Sequence, residues 1–248
     1  MPWTIGEQEA MPLSSESFSS RVDSLKADLV KQGRRVQAMV ETSFDAIFAG
    51  DSSSAKKVEV LDEEIDAVDV ALEKAAVALL TDACQQGANL EPNQVRMVLT
   101  IVKVNNELER IADIGVAIAE EIAIFRQCAQ GAGAEPPMTF RVLANSSIGV
   151  LRDSVGSLER MDPKLAKTVL MSETAVGAFK AALVKDIQQQ VHARTMPLDL
   201  ASALHDTAMF CVHIADHCTN IAEQVMYVST GTIVRHMQGR WEEIKLPS

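Results

Sequence analysis

The chain has 248 residues, and its formal net charge is −11. This acidic balance disfavours a nucleic-acid-binding protein, because affinity for nucleic acids comes largely from neutralising phosphates. Apolar residues make up 47% of the chain and aromatic residues only 4%, which favours helices packed through small and aliphatic side chains. The sequence has no run of about 18 uncharged apolar residues and no signal-peptide pattern at its start, so we expect a cytoplasmic protein.

The first half of the chain predicts three helices. A leader over residues 1–13 is followed by serines that favour a helix start, and this helix runs to about residue 49. The second helix, about 55–86, has apolar residues at alternating steps of three and four, a spacing that places them on one buried stripe. The third helix begins at Pro92 and reaches about Gln130.

The second half of the chain repeats this plan. Residues 131–137 form a glycine- and proline-rich linker. Helices are predicted after it over about 138–160, 164–192 and 197–228. The predicted fold is therefore all-α, a tandem repeat of two antiparallel three-helix bundles. The first bundle covers residues 14–130 and the second covers 138–230, with tails at 1–13 and 232–248.

Two nearly matching decapeptides support the repeat. Residues 111–120 read I-A-D-I-G-V-A-I-A-E, and residues 214–223 read I-A-D-H-C-T-N-I-A-E. The apolar residues around both follow the same three-and-four spacing. Similarity at a fixed offset indicates one helical unit used twice, with each decapeptide on the last helix of its bundle.

Acidic residues follow the apolar stripe of the second helix. Asp62, Asp66, Asp69 and Glu73 recur at steps of four, three and four. Like charges at this spacing destabilise a bare helix by roughly 0.2–0.5 kcal/mol per pair. A bound cation would offset that repulsion.

The third helix carries a second acidic stripe, turned away from its apolar residues. Glu109 and Asp113 are four residues apart, with Asn106 and Glu120 on the same side. Carboxylates at this spacing can hold a hard cation, and a neighbouring helix can add further oxygens. The alternative is a solvated face that keeps an acidic protein soluble, and the spacing alone leaves both interpretations open.

The corresponding stripe of the second half carries Asp216, Asn220 and Glu223. Val212 stands at the place of Glu109. The preceding helix has no acid at the places of Asp62 and Asp66, and the best alignment puts Ala175 and Val176 near the latter. Histidines offer other ligands, because His213, Asp216 and His217 form an H-x-x-D-H run that could bind a transition metal. A single histidine on a helix is more often a surface or packing residue.

Motifs of enzymes are missing from the sequence. It contains no nucleophile elbow, glycine-rich phosphate loop or H-E-x-x-H. Di-iron bundles use inward-facing E-x-x-H motifs, and no Glu stands three residues before a His on these helices. We therefore expect a protein that is not an enzyme, with a metal-dependent carboxylate-bundle enzyme as a weaker alternative.

At L-E-R-I-A-D, residues 108–113, and at the second decapeptide, the sequence resembles the PhoU family of phosphate-signalling regulators. Asp62-Glu-Glu-Ile-Asp66 is similar to the acidic motif of the family's second helix. Pro92 to Arg96 and Gly231 to His236 are similar to the start of its third helix and to its carboxy-terminal end. The resemblance covers about residues 14–236. It implies tandem three-helix bundles with E/D-x-x-x-D motifs that hold multinuclear metal clusters on the bundle surface.

The resemblance also implies a set of metal ligands. Asp62, Asp66, Glu109 and Asp113 match the first-half motif, whereas Asp216, with Asn220 and Glu223 nearby, matches the second. The metal would be Fe, Zn, Mn or Mg. Val212 replaces the leading acid of the second motif, and Ala117 stands where the family often has Asn. The chain therefore has either one complete cluster or a second site that uses histidine.

The function implied by the resemblance is non-enzymatic. Such a protein is a negative regulator of phosphate uptake and phosphate-starvation signalling, acting at the inner face of the membrane. Its partners would be a phosphate transporter or its ATPase, often a sensor histidine kinase, and a second copy in a homodimer. The alternative is a helical adaptor without functional metal, in which the acids serve only solubility.

Overall fold

A computed structural model describes residues 15–231, 233–237 and 240–244. In this part of the chain the structure has seven helices and one β-hairpin. Their bounds are α1 Ser15–Ala49, α2 Ser54–Gln85, α3 Pro92–Glu120, α4 Ile122–Ala132, α5 Met138–Arg160, α6 Pro163–His192, α7 Leu198–Thr230, β1 Ile233–Met237 and β2 Arg240–Ile244. The predicted all-α class is confirmed for the body of the chain, and the predicted leader lies outside the described residues.

Local capping signals set the helix starts. At α3, the side chains of Glu91 and Gln94 form a reciprocal capping box in front of the first turn. At α6, the Asp162 carboxylate accepts hydrogen bonds from two backbone N–H groups of the first turn. The predicted third helix is divided in two at Glu121, but the backbone there stays near helical geometry, with φ −70° and ψ −17°. α3 and α4 therefore occupy the place of the single predicted helix.

The helices pack as two triplets. α1, α2 and α3 pack together, as do α5, α6 and α7, and the triplets meet where α3 packs on α7 and α1 packs on α5. α2 and α6 thus flank a central set of four helices. Buried aliphatic and aromatic side chains form one continuous core through both triplets. The division into domains at the linker stays a prediction.

Equivalent hydrogen bonds mark the duplication. The Ser43 hydroxyl donates to the Gly115 carbonyl at 2.9 Å, and the Ser154 hydroxyl donates to the Cys218 carbonyl at 3.3 Å. Ser154 lies 111 residues after Ser43, and Cys218 lies 103 residues after Gly115. The buried residues Val58, Ile65 and Leu72 of α2 likewise lie 111 residues before Val169, Val176 and Leu183 of α6. The last helix of each triplet keeps the offset of 103.

The described part of the tail forms a β-hairpin, for which the sequence made no structural prediction. β1 and β2 pair antiparallel, with Ile233 opposite Ile244, and Val234 is buried. Strands of five residues are too short to show a clear alternation in the sequence. Among the described helices, none has both the length and the apolar character that a membrane crossing requires.

Candidate metal-binding face

Five carboxylates from the first triplet lie on adjoining sides of α2 and α3. We call this set the acidic face: Asp62, Asp66, Asp69, Glu109 and Asp113. Asp66 and Asp113 are exposed, and the other three are partly buried. The buried stripes of α2 and α3 pack toward the core, which leaves the acidic stripes at the outer edge of the contact between these helices. The four first-half residues predicted from the sequence are therefore brought together.

Burial and the charges of neighbouring carboxylates raise the pKa values of Asp62, Asp69 and Glu109. The pKa of Asp62 is raised by burial and then by the charges of Asp66 and Asp113. The pKa of Glu109 is raised by burial and then by Asp113 and Asp69, an effect that Arg110 only partly opposes. No ion pair within the described part of the chain joins the acidic face to a lysine or arginine. The protein itself thus leaves the mutual repulsion largely uncompensated.

Asp62 has one carboxylate oxygen in an unfavourable position. Its Oδ1 atom is buried and has no hydrogen-bond partner among the described residues. An unsatisfied buried polar group costs about 1–3 kcal/mol, and more when it is charged. A proton or a bound cation would remove this cost.

Asn105 ties α2 to α3 beneath the acidic face, and the sequence analysis missed it. This nearly fully buried side chain donates to Asp69 Oδ1 at 2.7 Å and to the Asp69 carbonyl at 3.0 Å. The pKa of Asp69 is nonetheless raised, by burial and by the charges of Glu73 and Asp66. The one available signal was an amide among apolar neighbours on a buried stripe, where a polar group needs a partner.

The donors suit a hard cation, but their side chains do not yet surround one. Carboxylate oxygens are the ligands that Mg²⁺, Mn²⁺ and iron accept most readily. In the described residues, no group of three or more His, Cys, Asp and Glu side chains is arranged to hold a metal ion. Asp66 and Asp113 are exposed and free to change rotamer, so binding would require them to turn toward Asp62 and Glu109.

The second-half candidates are not brought together in the same way. Asp216 is exposed on α7, whereas Glu223 is nearly fully buried and lines a groove beside Lys103 of α3. His213 is exposed. His217 lies in this groove, where its Nδ1 atom is 2.7 Å from Glu107 Oε2.

Glu107 is the central residue of this groove, and the sequence analysis did not identify it. Its Oε2 atom also accepts a hydrogen bond from Asn220 Nδ2 at 3.0 Å. Burial alone would raise the pKa of Glu107, but the hydrogen bonds from His217 and Asn220 outweigh it, and the pKa is lowered. The bridge joins the two triplets, and a contact between helices so distant in sequence leaves no local pattern.

The offset between α2 and α6 corrects the sequence alignment of the second half. Glu173 stands at the place of Asp62, where no acid was expected, and Gly177 rather than Ala175 or Val176 stands at the place of Asp66. Lys180 occupies the position of Asp69. The second triplet thus keeps Glu173 and Asp216 of the four predicted ligand positions.

The sequence matches the family model described as the PhoU domain over two segments, residues 29–122 and 140–225. The chain belongs to the PhoU family. The two PhoU segments fall on the two helix triplets; the first ends at residue 122, just after α3, and the second ends at residue 225, within α7.

Relatives and solved structures of the PhoU family agree with this assignment. A Pseudomonas putida protein named phosphate-specific transport system accessory protein PhoU homolog is 26% identical over 227 residues, covering 90% of this chain and 84% of the relative. The Escherichia coli K12 phosphate-specific transport system accessory protein PhoU is 26% identical over 234 residues, covering 91% of this chain and 90% of the relative. The crystal structure of the phosphate transport system regulatory protein PhoU from Streptococcus pneumoniae superposes with a TM-score of 0.78 at 18% identity, covering 88% of this chain and all of that one. The crystal structure of PhoU from Pseudomonas aeruginosa superposes with a TM-score of 0.77 at 20% identity, covering 87% of this chain and all of that one.

Proposed function

We propose that this chain is a non-enzymatic regulator of phosphate uptake. The observation that carries the proposal is the PhoU match over both helix triplets, together with relatives named accessory proteins of phosphate-specific transport that align over most of their length. The proposed partner is a phosphate transporter or its ATPase at the inner face of the membrane. A sensor histidine kinase and a second copy of the chain are further proposed partners.

We further propose that the acidic face binds metal. The support comes from three features: five carboxylates on two helices, the pKa values of Asp62 and Glu109 that burial and neighbouring charges raise, and the Asp62 Oδ1 atom without a hydrogen-bond partner among the described residues. A divalent cation held by Asp62, Asp66, Glu109 and Asp113 would relieve the repulsion and neutralise part of the local negative charge. The bound metal could then contact phosphate groups, and the surrounding acids could contact basic segments of a partner.

Elemental analysis and thermal unfolding test the metal directly. Protein purified without chelator should carry Fe, Mn, Mg or Zn, and the double variant Glu109→Ala, Asp113→Ala should lose most of it. Added metal should raise the melting temperature of the wild type and leave the variant unchanged, because a ligand of the native state stabilises it. Glu64→Ala, which removes an exposed acid of α2 outside the set, is the matched control. Metal-free wild type with no response to metal would favour the adaptor alternative.

Phosphate uptake tests the regulatory role. In cells that lack their own PhoU-family protein, expression of this chain should lower uptake of radiolabelled phosphate when phosphate is plentiful. The Glu109→Ala, Asp113→Ala variant, expressed at the same level, separates regulation from metal binding. As a positive control, the strain's own PhoU-family protein should restore normal uptake when it is expressed from the same vector. If it does so and the folded wild-type chain leaves uptake unchanged, the proposed role is contradicted.

A further inference from the structure

The outer helices α2 and α6 present matching faces to solvent. At the offset of 111 residues, Ala67 corresponds to Ala178 and Ala71 to Ala182, and all four are exposed. Both helices bury the opposite side, α2 against α1 and α3, and α6 against α5 and α7. The two ends of the molecule therefore carry equivalent rows of small residues.

Larger apolar side chains extend both rows. On α2, Val60, Val70 and Val77 are 57%, 46% and 58% exposed; on α6, Met171 and Phe179 are 65% and 37% exposed. Single exposed apolar residues are ordinary on a protein surface. A surface helix, however, normally opposes its buried stripe with polar residues, and an apolar row there indicates a surface covered by a partner. Small residues in that row permit close approach of a second helix.

The two faces carry opposite charge. Among the exposed side chains, α2 has three lysines and five carboxylates, a net charge of −2, whereas α6 has three lysines and no carboxylate, a net charge of +3. Pairing two α2 faces would set −2 against −2, and pairing two α6 faces would set +3 against +3. Pairing α2 with α6 sets opposite charges around apolar rows, an arrangement that favours association and excludes the alternatives with like charges.

We propose that α2 of one copy packs on α6 of a second copy. The alanine rows form the centre of the contact, and the acids of α2 lie near the lysines of α6. This contact is heterologous, because it joins different surfaces of the two copies. Each added copy leaves one α2 face and one α6 face uncovered, so the assembly grows head to tail instead of closing as a symmetric dimer.

Sedimentation velocity tests the association. The buffer contains EDTA, so that bound metal does not change the charge of α2. The weight-average sedimentation coefficient of the full chain should rise between about 1 µM and about 1 mM, a range that covers weak and moderate protein contacts. The rise should shrink at high salt, which screens the charges. A coefficient that corresponds to the monomer over the whole range would overturn the proposal.

A pair of equivalent substitutions tests the head-to-tail geometry. Ala67→Glu blocks the α2 face and Ala178→Glu blocks the α6 face, and each variant alone should remain monomeric. Mixed in equal amounts they should form a 1:1 dimer and nothing larger, since each supplies the face that the other lacks. Circular dichroism checks that both remain folded, and Val142→Glu, at an exposed site on α5, should associate like the wild type.

Three results would overturn the geometry. If Ala178→Glu alone associated like the wild type, the contact would be a symmetric one through α2. If Ala67→Glu alone did so, it would be symmetric through α6. A mixture that stayed monomeric while the wild type associated would show that the two faces do not pair with each other.

Discussion

Asp62 shows how one residue connects packing with chemistry. Its backbone position follows from the buried stripe of α2, which fixes the side of the helix on which its carboxylate lies. Its Oδ1 atom is buried without a hydrogen-bond partner among the described residues, and burial, together with the neighbouring charges, raises its pKa. The residue thus costs stability in the metal-free protein, a cost that is understandable if the position is kept for a ligand.

Asp62→Asn should stabilise the metal-free protein at neutral pH. A carboxyl group whose folded-state pKa is raised binds its proton more tightly in the folded chain, so stability falls as pH rises through that pKa. Since this side chain is only partly buried, screening limits the gain to roughly 0.5 kcal/mol. Urea unfolding in EDTA should show the variant above the wild type at pH 7, with the difference closing toward pH 4. Saturating metal should reverse the order at neutral pH, and an equal response of both proteins to metal would contradict the assignment of Asp62.

The bridge from Glu107 to His217 should stabilise the contact between the triplets. Glu107→Ala and His217→Ala should each cost about 1–2 kcal/mol, because a partly buried hydrogen bond to a charged group is lost. The double variant should cost less than the sum, since the two side chains act as one pair. Because the pKa of Glu107 is lowered in the folded protein, its ionised form adds stability at pH values above 4.5, its ordinary pKa. This stability is lost as the pH falls through the lower pKa of the folded state. Urea titrations of the four proteins at pH 7 and pH 3.5 measure both effects, and simple additivity would refute the pairing.

Element boundaries and local polar patterns were readable from the sequence, while contacts between elements were not. The predicted helices agree with the structure within about two residues at most ends, because prolines and capping residues act locally. The stripes of Asp62 and Asp66 and of Glu109 and Asp113 were also predicted. Their placement side by side follows from the packing of α2 on α3; the spacing within each helix allowed this arrangement but did not determine it.

The close approach of α1 to α5 depends on a residue whose role the sequence did not indicate. Gly33 lies inside α1, where glycine weakens a helix. A Cβ atom at this position would lie 3.2 Å from the γ carbons of Val155, which is fully buried on α5. Glycine is therefore used here for a contact between the triplets, and this explains its presence in the middle of a long helix.

Gly33→Leu should destabilise the protein by about 1–3 kcal/mol, the usual cost of overpacking a core contact. The matched control is Gly149→Leu, inside α5, where a Cβ atom would have no heavy atom within 4 Å. That substitution should be neutral or stabilising by up to about 1 kcal/mol, because leucine has the higher helix propensity. Thermal and urea unfolding compare the two variants. Equal effects would show that α1 and α5 tolerate a larger separation.

Across the whole molecule, the duplication preserved packing and changed charge. The serine hydrogen bonds and the buried stripes recur in both triplets. The acidic face does not recur, because Gly177 and Val212 stand at the places of Asp66 and Glu109, and Lys180 replaces Asp69. A buried stripe must fit its neighbours at every position, whereas positions outside the core are freer to diverge.

Restoring the missing acids should therefore create a second metal site. Gly177→Asp together with Val212→Glu would place four carboxylates on α6 and α7, in company with Glu173 and Asp216, at the positions that Asp62, Asp66, Glu109 and Asp113 hold in the first triplet. Calorimetric titration should give about twice the metal stoichiometry of the wild type, and the melting temperature should rise further at saturating metal. The pair Gly177→Asn and Val212→Gln has nearly the same shape without the charges and should bind only as much as the wild type. If the wild type binds metal and the rebuilt variant binds no more, then four carboxylates at these positions are not sufficient, and neighbours such as Asp69, replaced here by Lys180, are required.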